Sequence, residues 1–182
     1  SDRESYLKVY VLPVLVERAI YYDFFLKDPR FHVESRGRAD ELLGSARKKP
    51  DQFCQLAKSK EISCQVMQAT LAGGLEPPGA KDSPPASGPN SGATPPESVT
   101  SRLKAQSSAE GRRWVEQIGG RTKIGDLHGE VVDQGETWLV VRYLGARAKG
   151  GDVHRFEIAG VPKADFGTWV EAERAKVTVV RY

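Results

Sequence analysis

The sequence predicts an α+β protein with helices and strands in separate segments. A mainly helical N-terminal domain spans residues 1–73, a flexible Pro/Gly/Ser linker spans 74–100, and a small antiparallel β-barrel or sheet of SH3-like size spans 101–182. Three observations predict this. Residues 74–98 hold seven prolines, no aromatic residue and one large aliphatic, Leu75. Such a stretch buries too little apolar surface to offset the entropy of ordering, and its prolines block both helix and sheet. Before it, apolar residues recur at helical spacing; after it, short β-branched and aromatic runs are punctuated by glycine.

Residues 6–26 open the helical part. Tyr6–Leu12 reads as a short strand followed by a helix from Pro13, or else as part of one helix from Asp2 to Leu26 kinked at Pro13. Lys27-Asp28-Pro29 ends either version, because the residue before proline is pushed out of the α region. Nearly every side of this helix is apolar, which makes it the central helix of its domain or a dimer contact. Lys8, Glu17, Arg18 and Asp23 interrupt the run, so it is not expected to span a membrane. A short helix over 39–47 follows. Pro50 opens another over 51–60, and Ser63 caps a last one over Cys64–Ala72, closed by Gly73-Gly74.

Beyond the linker, Trp114, Val115 and Ile118 anchor a polar helical lead-in that breaks at Gly119-Gly120. Strands are expected over 129–133 and 137–144, joined by a hairpin loop at Gln134-Gly135-Glu136. Further strands are expected over 152–158, 168–171 and 176–182. Trp138, Tyr143, Phe156, Phe166 and Trp169 serve as core of so small a unit, or as a stacking platform alongside Arg142, Arg147, Lys149 and Arg155.

The run from Gln55 to Gly73 resembles the helix-turn-helix of bacterial DNA-binding regulators. Ala57 occupies the small position where the helices cross, Ile62 the aliphatic after the turn, and Met67 and Leu71 the later anchors. Glu61 stands where the family usually has glycine. The resemblance implies that the second helix enters the major groove, with Ser63, Gln65 and Gln68 as readers of bases or phosphates. Arg36, Arg38, Lys48 and Lys49 are the flanking phosphate contacts.

Charge is less informative. The net charge is +3, with 12 Lys/Arg against 10 Asp/Glu up to residue 73 and 14 against 11 from 101 to 182. Neither excess alone establishes nucleic-acid binding. Cys54 and Cys64, ten residues apart, lack metal-site spacing and read as small buried hydrophobes of a reducing cytosol. With no secretory signal in the sequence, a cytoplasmic location is expected. Asp126, His128 and Glu130 share one face if they lie on a strand, and His154 would join them as metal ligands or an acid–base pair. His32 stands alone. No nucleophile triad, phosphate loop or dinucleotide fingerprint is present.

The expected function is therefore non-enzymatic, without metal or cofactor: a DNA-binding or nucleic-acid-associated protein. Its β-module would be tethered to hold a partner or add affinity. The alternative is an adaptor or accessory subunit of a larger assembly, with Tyr21, Tyr22, Phe24 and Phe25 as its protein interface.

Overall fold

A computed structural model describes residues 5–78, 108–146 and 153–176. Most of the expected linker, Arg147, Lys149 and the expected final strand beyond Lys176 lie outside the described residues. The chain folds as mixed α+β, with helices over residues 7–59 and an antiparallel five-stranded sheet.

One continuous helix, α1, begins the described chain. Wide π-helical turns at Leu7–Val11 and Ile20–Phe25 flank a regular segment, Leu12–Ala19. The single-helix reading holds over this stretch. Pro13 falls where the wide turn gives way to regular α-helix, so its missing N–H sits at a junction that already departs from regular bonding. The expected stop occurs at Asp28, which is extended before Pro29 and accepts a 3.0 Å bond from the Arg30 N–H.

Helix α2 (Val33–Ala46) starts earlier than expected and buries Ala39, Leu42, Leu43 and Ala46, spaced as one helical face. Helix α3 (Phe53–Ser59) buries Phe53 and Ala57. It ends in a left-handed residue, Glu61 (φ 59°), with the Ile62 N–H donating to Ala57 O at 2.9 Å and the Glu61 N–H to Lys58 O at 3.0 Å. These paired bonds close a helix C-terminus in the manner usually assigned to glycine.

The main correction lies just beyond that turn. Residues expected as a helix over Cys64–Ala72 form strand β1 (Ser63–Thr70), followed by β2 (Gly73–Glu76). β1 pairs antiparallel with a later strand, β5 (His154–Pro162), from Ser63↔Gly160 to Ala69↔His154. Gln, Met and Ala favour helix locally, and this long ladder overrides them. No recognition helix exists at these residues.

Strands β3 (Val132–Gln134), β4 (Thr137–Ala146) and β5 (His154–Pro162) complete the sheet in the order β2-β1-β5-β4-β3. Gly135 (φ 67°) opens the expected β3–β4 hairpin loop. Both faces of the sheet are covered. Trp138, Val140, Ala159 and Val161 pack with α2 and α3. Leu139, Val141, Tyr143, Phe156 and Ile158 pack with Trp114, Val115 and Ile118 of α4 (Arg113–Ile118), the expected anchors. A strand buried on two faces reads as a continuous apolar run, as Trp138–Val141 does.

The last element, α5 (Phe166–Lys176), replaces the strand expected over 168–171. Asp165 starts it by accepting from the Thr168 N–H at 2.7 Å and the Thr168 hydroxyl at 2.8 Å. Those bonds hold the Asp165 carboxyl below its ordinary pKa.

Candidate docking surface

The root of α1 is fixed by a cluster of rings. Phe25 is fully buried and packs on Phe31, His32, Phe166 and Trp169 at centroid distances of 5.1–5.4 Å. His32 is a core residue: its Nε2 lies 2.8 Å from Phe25 O, and its Nδ1 faces the Ala164 N–H at 3.3 Å. The backbone donor fixes Nδ1 as acceptor, so Nε2 carries the proton and donates to the carbonyl.

Two polar contacts add to this anchor. Lys163 is buried, with its ammonium 3.0 Å from Asp133, 4.2 Å above the Trp138 ring and 3.4 Å from Leu26 O. The Tyr21 hydroxyl donates to Glu136 at 2.6 Å. Burial first, then this bond and the carboxylate charge, push the Tyr21 phenol up to about 12 from its ordinary 10.0.

The raised value has a consequence for pH. The folded state prefers the neutral phenol, so this contribution to stability is complete below pH 10 and is lost as pH climbs from 10 towards 12. Urea midpoints measured across that window should fall for the native protein. They should fall less for Tyr21→Phe, which has no phenol to ionise.

Beyond the root, α1 is exposed. No residue from Leu7 to Ala19 is buried. Tyr6, Leu7, Val9, Tyr10, Leu12, Val14, Leu15, Val16 and Ile20 are all exposed large apolar side chains, Val9 by 60% and Tyr10 by 64%. Between this helix and α5 runs a mainly apolar groove of about 590 Å³, where Pro13, Val16, Ile20, Trp169 and Val170 share the lining with the charged side chains of Glu17, Glu173 and Arg174. A more polar cavity of about 610 Å³ lies beside it, lined by Val14, Arg18, Tyr21, Glu136 and Phe166. Among the described residues, no helix is long and apolar enough to cross a membrane.

The residues expected to read DNA are placed differently. Ser63 and Gln65 are exposed on β1, while Gln68 is half-buried on the same strand. Strand alternation puts Ser63 and Gln65 on the face that Ala69 shares with α4, and Gln68 on the opposite face. The three do not converge. Arg36 bonds Asp40 at 3.1 Å and lies over the Trp138 ring. Arg38, Lys48 and Lys49 are exposed on or just after α2.

Asp126, His128 and Glu130 lie in an irregular segment rather than on a strand. His128 Nδ1 sits 3.0 Å from the Thr122 hydroxyl, and burial lowers the His128 pKa. His154 Nδ1 pairs with the Tyr143 hydroxyl at 2.8 Å. Among the described residues, no three His, Cys, Asp or Glu side chains are grouped to hold a metal. Trp138, Tyr143 and Phe156 are core, and Phe166 and Trp169 are half-buried against α1.

The cysteines correct their sequence reading. Cys54 of α3 and Cys64 of β1 form a disulfide, with Cα atoms 5.4 Å apart. The contact arises because the chain reverses at Glu61 and returns as a strand beside the helix it left. No family model, curated protein or solved structure matches this chain.

Proposed function

We propose that this protein is an accessory subunit of a larger protein assembly, docking through α1. One observation carries the reading: a helix anchored at Tyr21–Leu26 projects nine large apolar side chains between Tyr6 and Ile20 without burying any of them. Water is a poor environment for such a surface, and monomeric proteins rarely present one of this extent. Of the aromatics expected as an interface, Tyr22 and Phe24 are exposed and add to it, while Phe25 is spent on the core.

DNA binding has less support, because the segment assigned to the major groove is an inner strand of the sheet. The Cys54–Cys64 bond favours assembly in an oxidising compartment, where disulfides persist.

The test is photocrosslinking in the cells that make the protein, with a photoreactive amino acid in place of Tyr10 or, as a control, Lys48. Docking predicts discrete protein adducts from position 10 and few from position 48. Adducts to nucleic acid from position 48, with none from position 10, would reverse the ranking.

A further inference from the structure

We infer that the occupant of the α1–α5 groove is the α1 helix of a second copy of this chain, packed antiparallel; this rests on the docking role proposed above. The groove and the exposed apolar side chains of α1 are complementary parts of one surface. The groove lies along the second half of α1, where Pro13, Val16 and Ile20 face Trp169 and Val170 of α5. Outside it, in the first half of the helix, Tyr6, Leu7, Val9, Tyr10 and Leu12 are exposed. Fitting the exposed first half of one copy into the groove of another requires opposite directions, and a two-fold axis makes the exchange mutual.

Sequence spacing supplies the seam. Val9, Pro13, Val16 and Ile20 follow one another at intervals of four, three and four residues, the repeat that keeps a stripe facing a partner helix. A two-fold axis between Pro13 and Val16 sets Val9 opposite the second copy's Ile20 and Pro13 opposite the second copy's Val16. None of these positions is charged. Small and β-branched side chains on both sides allow close approach of the two backbones.

Area and coverage agree with a stable pair. The side chains from Tyr6 to Ile20, each about half exposed, present on the order of 800 Å², the share one partner contributes to a standard interface. A lone partner helix would cover one side and leave the rest wet. With α5 of each copy flanking the pair, α1 is enclosed in a four-helix arrangement and covered on several sides.

Sedimentation velocity of the full chain, from about 1 to 100 µM, tests this. The native protein should sediment as a dimer. Val16→Glu, on the seam and outside the core, should weaken association at least tenfold while leaving the circular dichroism spectrum of the body unchanged. Leu15→Glu, about 100° round the helix from Val16 and off the seam, should weaken association less than Val16→Glu does. A monomer at all concentrations would overturn self-pairing, as would equal loss in the two variants. If the monomeric chain still gives protein adducts at position 10, the accessory role survives with a different occupant. If instead it floats with phosphatidylcholine–phosphatidylglycerol vesicles and gives no protein adduct, both readings fall.

Discussion

Replacing Gly111 with alanine should unfold the protein or cost at least about 3 kcal/mol, the upper part of the range for overpacking. A Cβ at this position would lie 2.2 Å from Thr70 O, 2.7 Å from Gly73 O and 2.8 Å from Leu71 O. All three are backbone atoms of the β1–β2 turn, so no side chain can swing aside. The helical lead-in to α4 would have to retreat, withdrawing Trp114, Val115 and Ile118 from one face of the sheet. Gly37 and Gly44 of α2 provide the contrast, since a Cβ at either meets nothing within 4 Å. Alanine there should stabilise by roughly 0.5–1 kcal/mol, by relieving the entropic cost of glycine in a helix. Urea unfolding of the three variants gives the comparison. Equal effects at all three positions would mean that α4 does not approach the turn as described.

Loss of the disulfide is the next largest effect. Cys54 and Cys64 close a loop with a sequence separation of 10. The chain-entropy account assigns such a loop about 2.7 kcal/mol. Reduction with dithiothreitol, or Cys64→Ser, should lower stability by about that amount, and reductant should add nothing to the variant. The side chains pack against the α2–α3 core, so α3 and the start of β1 should loosen first. Two thiols titrating freely in the native, air-purified protein would show that the bond is absent and remove the argument for an oxidising compartment.

The elements most readable from sequence owe their form to nearby residues. Gly135 marks the β3–β4 hairpin, and Asp28-Pro29 stops α1. Trp114, Val115 and Ile118 make the apolar face of α4 because their spacing suits a helix. β1 was hidden because Gln65, Met67, Gln68 and Ala69 prefer helix, while the interaction that decides their state comes from β5, some ninety positions later. The helix-turn-helix resemblance identified a true turn at Glu61, whose φ is positive, and went astray in assigning a helix to residues 64–72. The disulfide was invisible for the same reason, since only a strand at residue 64 brings the two cysteines together. In α5, Thr168-Trp169-Val170 suggested strand alternation, and the deciding signal was the capping carboxylate of Asp165.

The candidate site was partly legible. That α1 is apolar on every side, and fits either a central helix or a dimer contact, can be read directly from residues 6–26. Its exposure cannot, because exposure depends on where the rest of the chain goes. The core of the sheet is filled by α2, α3 and α4, and among the described residues Phe25, Tyr21 and Leu26 anchor the root of α1.

Hydrogen exchange at the amides of residues 7–20, measured over a range of protein concentration, tests the docking role of α1 most directly. An isolated helix of this length is marginal in water, and tertiary or subunit packing must supply its stability. Docking of α1 on a second copy predicts exchange that slows as the chain associates, and fast exchange at every concentration in Val16→Glu. Amides that exchange at one rate in both proteins, whatever the concentration, would contradict it.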